Sequence, residues 1–273
     1  MIFCRELNKH FDSEEQLFSE LKTNKEDILA LKRAKIMKSC EKGVGIPIKS
    51  GISLKTMENI KDFTTDDDHY YIVVNATKIL DSHGDMHTNG IWKKTLKDNQ
   101  GKNYLVADHK LEMDKVIAKK SDIQMFTAEI PFSAIGKSYE GETQALIYKV
   151  AKDKIIHPLA KEWLEDGDDI QASVRMRYIT IKMAMRSTRE EDKEEMKTYN
   201  EFYDQIANKE DYEDIPYFFV VTEAENVKES SLVLFASNSS TGVISIPEPP
   251  TGTQKETSEP TEEVTQKRRK SII

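Results

Sequence analysis

Cysteine and long apolar runs are scarce in this chain and an excess of positive charge is absent, and each lack removes a class of protein. Two cysteines in 273 residues, Cys4 and Cys40, cannot build the disulfide framework of a small secreted domain. Neither sits in a nucleophile motif. No apolar run approaches the roughly 20 residues needed to span a bilayer. The opening "MIFCRELNKHFDSEEQ" also lacks the apolar segment of a signal peptide. These features point to a protein made and kept in a cytosol, with no membrane partner. Lys and Arg number 40 against 48 Asp and Glu, a net charge of −8. That balance disfavours a general nucleic-acid binder, which needs a basic face for phosphates. The local exception is "KRRK" at 267–270.

What is present reads as an α+β protein. Ser13 with Gln16 has capping-box spacing, and Leu17, Phe18 and Leu21 follow at helical intervals. Asn24 with Asp27 offers a second N-cap ahead of Ile28, Leu31 and Ala34. Residues 1–39 therefore read as a helical arm, packed on a partner or on the outside of the domain, and 40–65 as a glycine-bearing linker. Residues 66–242 are rich in strand-like segments: "HYYIVVNATKIL", "KNYLVADHK", "KVIAKK" and "IQMFTAEIPF". The span 143–165 reads as helical, interrupted by Pro158 and closed at Gly167. Thr188 with Glu191 opens a further helix, with Met196, Tyr199, Tyr203 and Ile206 on one face, and "YFFVVTEAENVKESSLVLFAS" supplies two more strands. From 243 to 273 the chain turns to Pro, Thr, Ser and Glu, a composition that cannot bury a core and reads as a disordered tail.

Few residues are suited to chemistry. In "DIQASVRMRY" (169–178), Ile170, Ala172, Val174, Met176 and Tyr178 alternate with Gln171, Ser173, Arg175 and Arg177, the pattern of a strand with one apolar and one polar face. Alternation alone leaves Ser173 either an inert strand serine or a nucleophile. His109 ends "YLVADH", where a strand end can hold an imidazole rigidly beside a cleft, although a surface histidine reads the same way. In "DSHGDMHTNG" (81–90), Asp81, His83, Asp85 and His87 could each ligate a metal. The Gly-Asp and Asn-Gly pairs are equally strong turn chemistry, and a catalytic metal normally draws its ligands from rigid elements. We expect no metal and no cofactor.

Four blocks, taken in order, resemble the caudovirus prohead serine proteases. "ILDSHGDMHTNGIWKKTL" is similar to that family's early strand-and-turn block through Asp81, Gly84, Asp85, Gly90 and Trp92. "NYLVADHKLEMDKVIAK" resembles the next block, a strand ending in Asp-His. "GDDIQASVRMRY" resembles the nucleophile strand, and "VKESSLVLFASNSSTG" the closing Glu-x-Ser-Leu-Val strand. The N-terminal helices and an insertion at 187–209 look like the variant found in phages of Bacteroidetes-type hosts, so the resemblance spans roughly residues 1–242. It implies an assemblin-like closed β-barrel core with peripheral helices. It also implies a serine endopeptidase with Ser173 as nucleophile and His109 as general base.

In the herpesvirus relatives the third member is a second histidine after the serine; this chain has none after His157. The resemblance points instead to Glu229, with Asp108, and then Asp168 and Asp169, as weaker candidates. Arg175 and Arg177 share the face of Ser173 and are secondary candidates for oxyanion support. The implied substrates are the scaffold, the major capsid protein's scaffold-like arm and the protease itself. The implied setting is the procapsid in a bacterial host's cytoplasm, with self-association and no specific nucleic acid. Two positions depart from the family: Arg175 stands where a glycine is usual, and Ala172 where glycine or histidine is common. They motivate the alternative of a non-catalytic capsid-interior or scaffold-like protein that keeps the fold.

Overall fold

A computed structural model describes residues 1–38, 53–56, 63–168, 170–234 and 242–243. Its strands are β1 (Ile2–Cys4), β2 (Lys9–Phe11), β3 (Ile36–Lys38), β4 (Ser53–Thr56), β5 (Phe63–Thr64), β6 (His69–Ala76) and β7 (Asp85–His87). They continue as β8 (Tyr104–Ala107), β9 (Val116–Ala118), β10 (Ile123–Pro131), β11 (Glu142–Ala151), β12 (Gln171–Met185), β13 (Tyr217–Val233) and β14 (Gly242–Val243). The helices are α1 (Glu14–Thr23), α2 (Lys25–Ala34), α3 (Lys93–Asn99), α4 (Pro158–Asp166) and α5 (Lys193–Phe202). None of the described helices is long and apolar enough to cross a membrane.

Strand alternation explains the layering. One sheet runs β14-β6-β11-β10-β4-β5; the other runs β3-β12-β13-β8-β9, with β7 also paired to β13. Ile72, Val74, Leu146 and Tyr148 from the first sheet share a core with Ala172, Val174, Phe219 and Leu232 from the second. The opposite face of the first sheet packs Tyr71, Val73 and Ile147 under the Phe132–Ile135 turn. The opposite face of the second packs Ala184, Phe218 and Val220 against Tyr199 and Phe202 of α5. The fold is therefore mixed α+β. The expected closed barrel is not formed among the described residues: the ladders make two facing sheets and a separate β1–β2 hairpin. Alternation specifies one core-facing side per strand, and facing sheets satisfy that as well as a barrel does.

The N-terminal helices join the main core through Leu17, Phe18, Leu21, Ile28 and Leu29. Ser13 Oγ accepts from the Gln16 amide at 3.3 Å and caps α1. The side chain of Asn24 caps nothing in α2. It donates instead to the Glu20 carbonyl at 2.8 Å, closing α1. A hairpin, β1–β2, precedes these helices within the segment expected to be a helical arm.

Three further expectations are corrected. The span 143–165 is not one interrupted helix; its first part is β11, paired on both sides. From Ala145 to Val150 only Lys149 escapes full burial, so both faces are apolar and the period-2 signal disappears. The helix begins at Pro158, capped by His157 Nδ1, which accepts from the Ala160 amide at 3.2 Å; it ends at Gly167 with φ 77°. Thr188 and Glu191 do not open a helix. A 3₁₀ turn at Glu190–Asp192 comes first, held by Ser187 and Arg189 on Asp192, and Tyr203 and Ile206 lie beyond the end of α5. The two strands expected after 216 are one long strand, β13, with a left-handed kink at Lys228 (φ 67°). The expected tail lies outside the described residues beyond Val243, as does most of the linker.

Candidate active site

The second sheet brings Ser173, His109 and Glu229 together from three strands. Ala172 and Val174 point into the main core, so Ser173 points to the opposite face of β12. Directly across from it on β13 lies Ser231, which in turn pairs with Val106 on β8. Glu229, two residues before Ser231, sits opposite Tyr104. All of these side chains except that of Tyr104 are buried.

His109 reaches this row by a tight turn. After β8, Asp108 and His109 have φ 51° and 57°, and the Lys110 amide donates to the Ala107 carbonyl at 3.0 Å. Two successive positive φ values with that bond are the signature of a type I′ turn, and Asp and His are among the non-glycine residues that tolerate it best. The turn folds the imidazole back over the sheet. Its Nδ1 lies 2.9 Å from Glu229 Oε1 and 3.2 Å from Oε2, and its Nε2 lies 2.8 Å from Ser173 Oγ.

With Glu229 as a carboxylate, which accepts only, and a neutral imidazole, Nδ1 carries the hydrogen and donates to Glu229, and Nε2 accepts from the Ser173 hydroxyl. Glu229 is fully buried, and a buried carboxylate without a donor would be costly. The acid, the base and the hydroxyl therefore form one coupled chain.

Three residues of this neighbourhood carry no motif. The Asn226 side chain donates to the Glu229 carbonyl at 2.8 Å and to the Arg175 carbonyl at 3.1 Å, tying down both strands at the kink. Tyr148 OH donates to Asn226 Oδ1 at 2.5 Å, and Asn103 Nδ2 donates to the same oxygen. Burial raises the Tyr148 phenol above its ordinary pKa, so it stays a donor. Asn103, Tyr148 and Asn226 lie on three strands or their flanks, far apart in the chain, and no local sequence signal joins them.

The other candidates are placed elsewhere. Asp108 and Asp168 are exposed, and no hydrogen bond or ion pair among the described residues joins either side chain to His109, while Asp169 lies outside the described residues. Arg177 pairs with Glu225 at 2.5 Å on the surface and does not enter the site. The Arg175 Nε is buried without a hydrogen-bond partner among the described residues.

In the 81–90 turn, Asp81 Oδ1 accepts from the His83 and Asp85 amides at 2.8 and 2.9 Å, the bonds of a turn-forming aspartate. Burial and the neighbouring Asp85 push the Asp81 carboxyl up to about 8. The middle of this stretch, Asp85–His87, expected to be loop, is strand β7. Among the described residues no group of three or more His, Cys, Asp or Glu is arranged to hold a metal. Cys4 is buried as a free thiol.

No family model, curated protein or solved structure matches this chain. Its chemistry has to be argued from the geometry of the site.

Proposed function

We propose that the protein is a serine endopeptidase acting in phage prohead maturation. The observation that carries this reading is the contact series Glu229–His109–Ser173, with both imidazole nitrogens at hydrogen-bond distance from the partners a hydrolase needs. In the proposed reaction Ser173 Oγ attacks the scissile carbonyl carbon while its proton passes to His109 Nε2. The imidazolium, steadied by the Glu229 carboxylate, gives that proton to the leaving amine. A water then loses a proton to Nε2 and attacks the acyl-enzyme; the proton returns to Ser173 Oγ as the new carboxyl end leaves.

The prohead setting rests on the four-block resemblance, which supplies the expected substrates: scaffold, the capsid protein's scaffold-like arm and the chain itself. Kinship with the assemblin fold belongs to the same proposal, with two facing sheets in place of a closed barrel. Incubating the purified protein with capsid protein and scaffold tests the reading. The wild type should trim both, and Ser173→Ala should trim neither; trimming that survives Ser173→Ala would sink it.

One observation favours a second reading, a non-catalytic capsid-interior protein that keeps the fold. Ser173 is fully buried, so a scissile carbonyl reaches its Oγ only after the surrounding chain rearranges. A serine-directed fluorophosphonate separates the two: stoichiometric labelling at Ser173 favours the peptidase, and no labelling favours the structural protein.

A further inference from the structure

The base in this site is held by more than its acid. The Ala107–Lys110 turn takes the chain out of the β8–β13 ladder at His109. The Asp108 amide still reaches the Leu232 carbonyl at 3.0 Å, but the next amide, that of His109, finds a side chain instead. It donates to Ser231 Oγ at 2.8 Å. The Ser231 hydroxyl donates in turn to the Val106 carbonyl at 2.9 Å, with the Leu232 carbonyl next nearest at 3.2 Å. Ser231 is fully buried, so no water substitutes freely for its oxygen.

We infer that Ser231 is a positioning residue for the base: its hydroxyl holds the left-handed turn that points the His109 imidazole at Ser173. The inference rests on the peptidase reading and adds to it a residue whose hydrogen bond to the base is through the His109 backbone amide rather than the imidazole. Two features carry it. The His109 backbone sits at a positive φ, a conformation that a non-glycine residue keeps only when its surroundings enforce it. Its amide is buried with that turn, and a buried N–H without an acceptor is strongly disfavoured. The Ser231 hydroxyl hydrogen goes to a backbone carbonyl and is not aimed at an oxyanion.

Glu229 and Ser231 therefore divide the work. The acid fixes the tautomer and ring rotation through Nδ1, and the serine fixes the backbone from which the ring projects. Removing the hydroxyl should leave substrate contacts in place and spoil the alignment of Nε2 with Oγ. Misplacements of about 1 Å in such geometry cost roughly 100-fold in rate elsewhere.

The test uses the full chain with Ser231→Ala and Ser231→Thr. The Thr variant keeps the hydroxyl on a β-branched side chain suited to a strand. With a peptide substrate, Ser231→Ala should lose about 10- to 100-fold in kcat with little change in KM. It should also shift the acid limb of its pH–rate profile, while Ser231→Thr recovers most of the rate. Wild-type kcat and pH profile in Ser231→Ala would overturn the inference, as would equal losses in both variants.

A second readout needs no turnover: the His109 ring Hε1 resonance followed by NMR across pH. A changed chemical shift and titration in Ser231→Ala, restored in Ser231→Thr, supports the positioning role even if the wild type cleaves nothing. In that case the peptidase reading falls alone. An unchanged resonance overturns the positioning role whatever the activity.

Discussion

Two histidines sit inside buried hydrogen-bonded chains in this protein, and their neighbours hold them to different jobs. His109 stands between a carboxylate and a hydroxyl, on a turn, with 9% of its surface exposed. His87 lies on β7 with 1% exposed. Its Nδ1 is 2.9 Å from Asn75 Nδ2, and its Nε2 is 3.4 Å from Tyr178 OH. Trp92 Nε1 donates to Asn75 Oδ1 at 3.0 Å, so the amide nitrogen of Asn75 must face His87 and donate to it. His87 Nε2 then carries the hydrogen, and Tyr178 OH passes its own on to Asp85 Oδ2 at 2.9 Å. Lys32 Nζ, from α2, closes the chain at 2.5 Å from Asp85 Oδ1.

The difference lies in what each imidazole can do with a second proton. His109 has the Glu229 carboxyl at 2.9 Å from its Nδ1. His87 would have to gain its second proton against a donor amide, in a fully buried setting. Burial accordingly pushes the His87 imidazole down to about 4. The proposed reaction asks His109 to accept a proton and return it, whereas the setting of His87 opposes that charge. Both sit on β-strands or strand ends in stretches with turn chemistry, so the residue type and its local sequence do not distinguish them.

Substitution should separate the pair most sharply in rate. His109→Ala is expected to lower peptide cleavage by about 10⁶-fold, the scale seen when a base of this kind is removed elsewhere. A thermal melt should show a protein that still folds but with a lowered Tm, because the buried Glu229 carboxylate loses its donor. His87→Ala should leave the cleavage rate per folded molecule within a few-fold of wild type and lower stability by about 2–4 kcal/mol, since it empties a fully packed polar position. Equal rate losses in the two variants would erase the distinction.

Glu229→Gln comes next in size. Glutamine keeps the shape of the side chain but can present its amide to Nδ1 and impose the wrong tautomer, a change that costs about 10⁴-fold in a comparable arrangement. The matching change at the other histidine, Asn75→Asp, would place a carboxylate beside His87 Nδ1. NMR titration should then show the His87 pKa raised from its depressed value. If Glu229→Gln cleaves at the wild-type rate, the acid has no orienting role and the proposed chain shrinks to two residues.

Much of this contrast was hidden in the sequence, for physical reasons. The β12 strand was legible from its alternation, and with it the direction of Ser173, because one face enters the main core. The position of His109 at a strand end was legible as well. Its return over the sheet was not, because it depends on a left-handed pair of residues and on a serine 122 positions away. Glu229 entered through resemblance only; as a lone residue in "VKESSLV" it reads as an ordinary strand glutamate. In sequence, β11 reads as helix because burial on both faces removes the period that marks a strand. His87 reads there as a metal-ligand candidate because Asp81, His83, Asp85 and His87 alternate. The structure instead uses Asp81 to build a turn and ties Asp85 to Tyr178 and Lys32.

The smallest effect, and the most direct test of what His87 is for, lies in stability against pH. Its ordinary pKa is 6.5 and its folded value is about 4. The unfolded chain therefore binds a proton at pH values where the folded chain does not. The sign follows: the contribution of neutral His87 is complete above pH 6.5 and is lost as pH falls through the window from 6.5 to 4. One pKa unit corresponds to 1.36 kcal/mol, so the wild type should lose about 2.5 kcal/mol at pH 4.5 from this group alone. His87→Gln cannot take the proton in either state. Urea unfolding at pH 7.5 and 4.5 should show the wild type converging toward, or falling below, the variant on the acid side. The difference between the two proteins cancels the carboxylates that titrate in the same range. A stability gap that stays constant between the two pH values would mean that His87 is protonated in the folded protein, and the contrast with His109 would fail at its root.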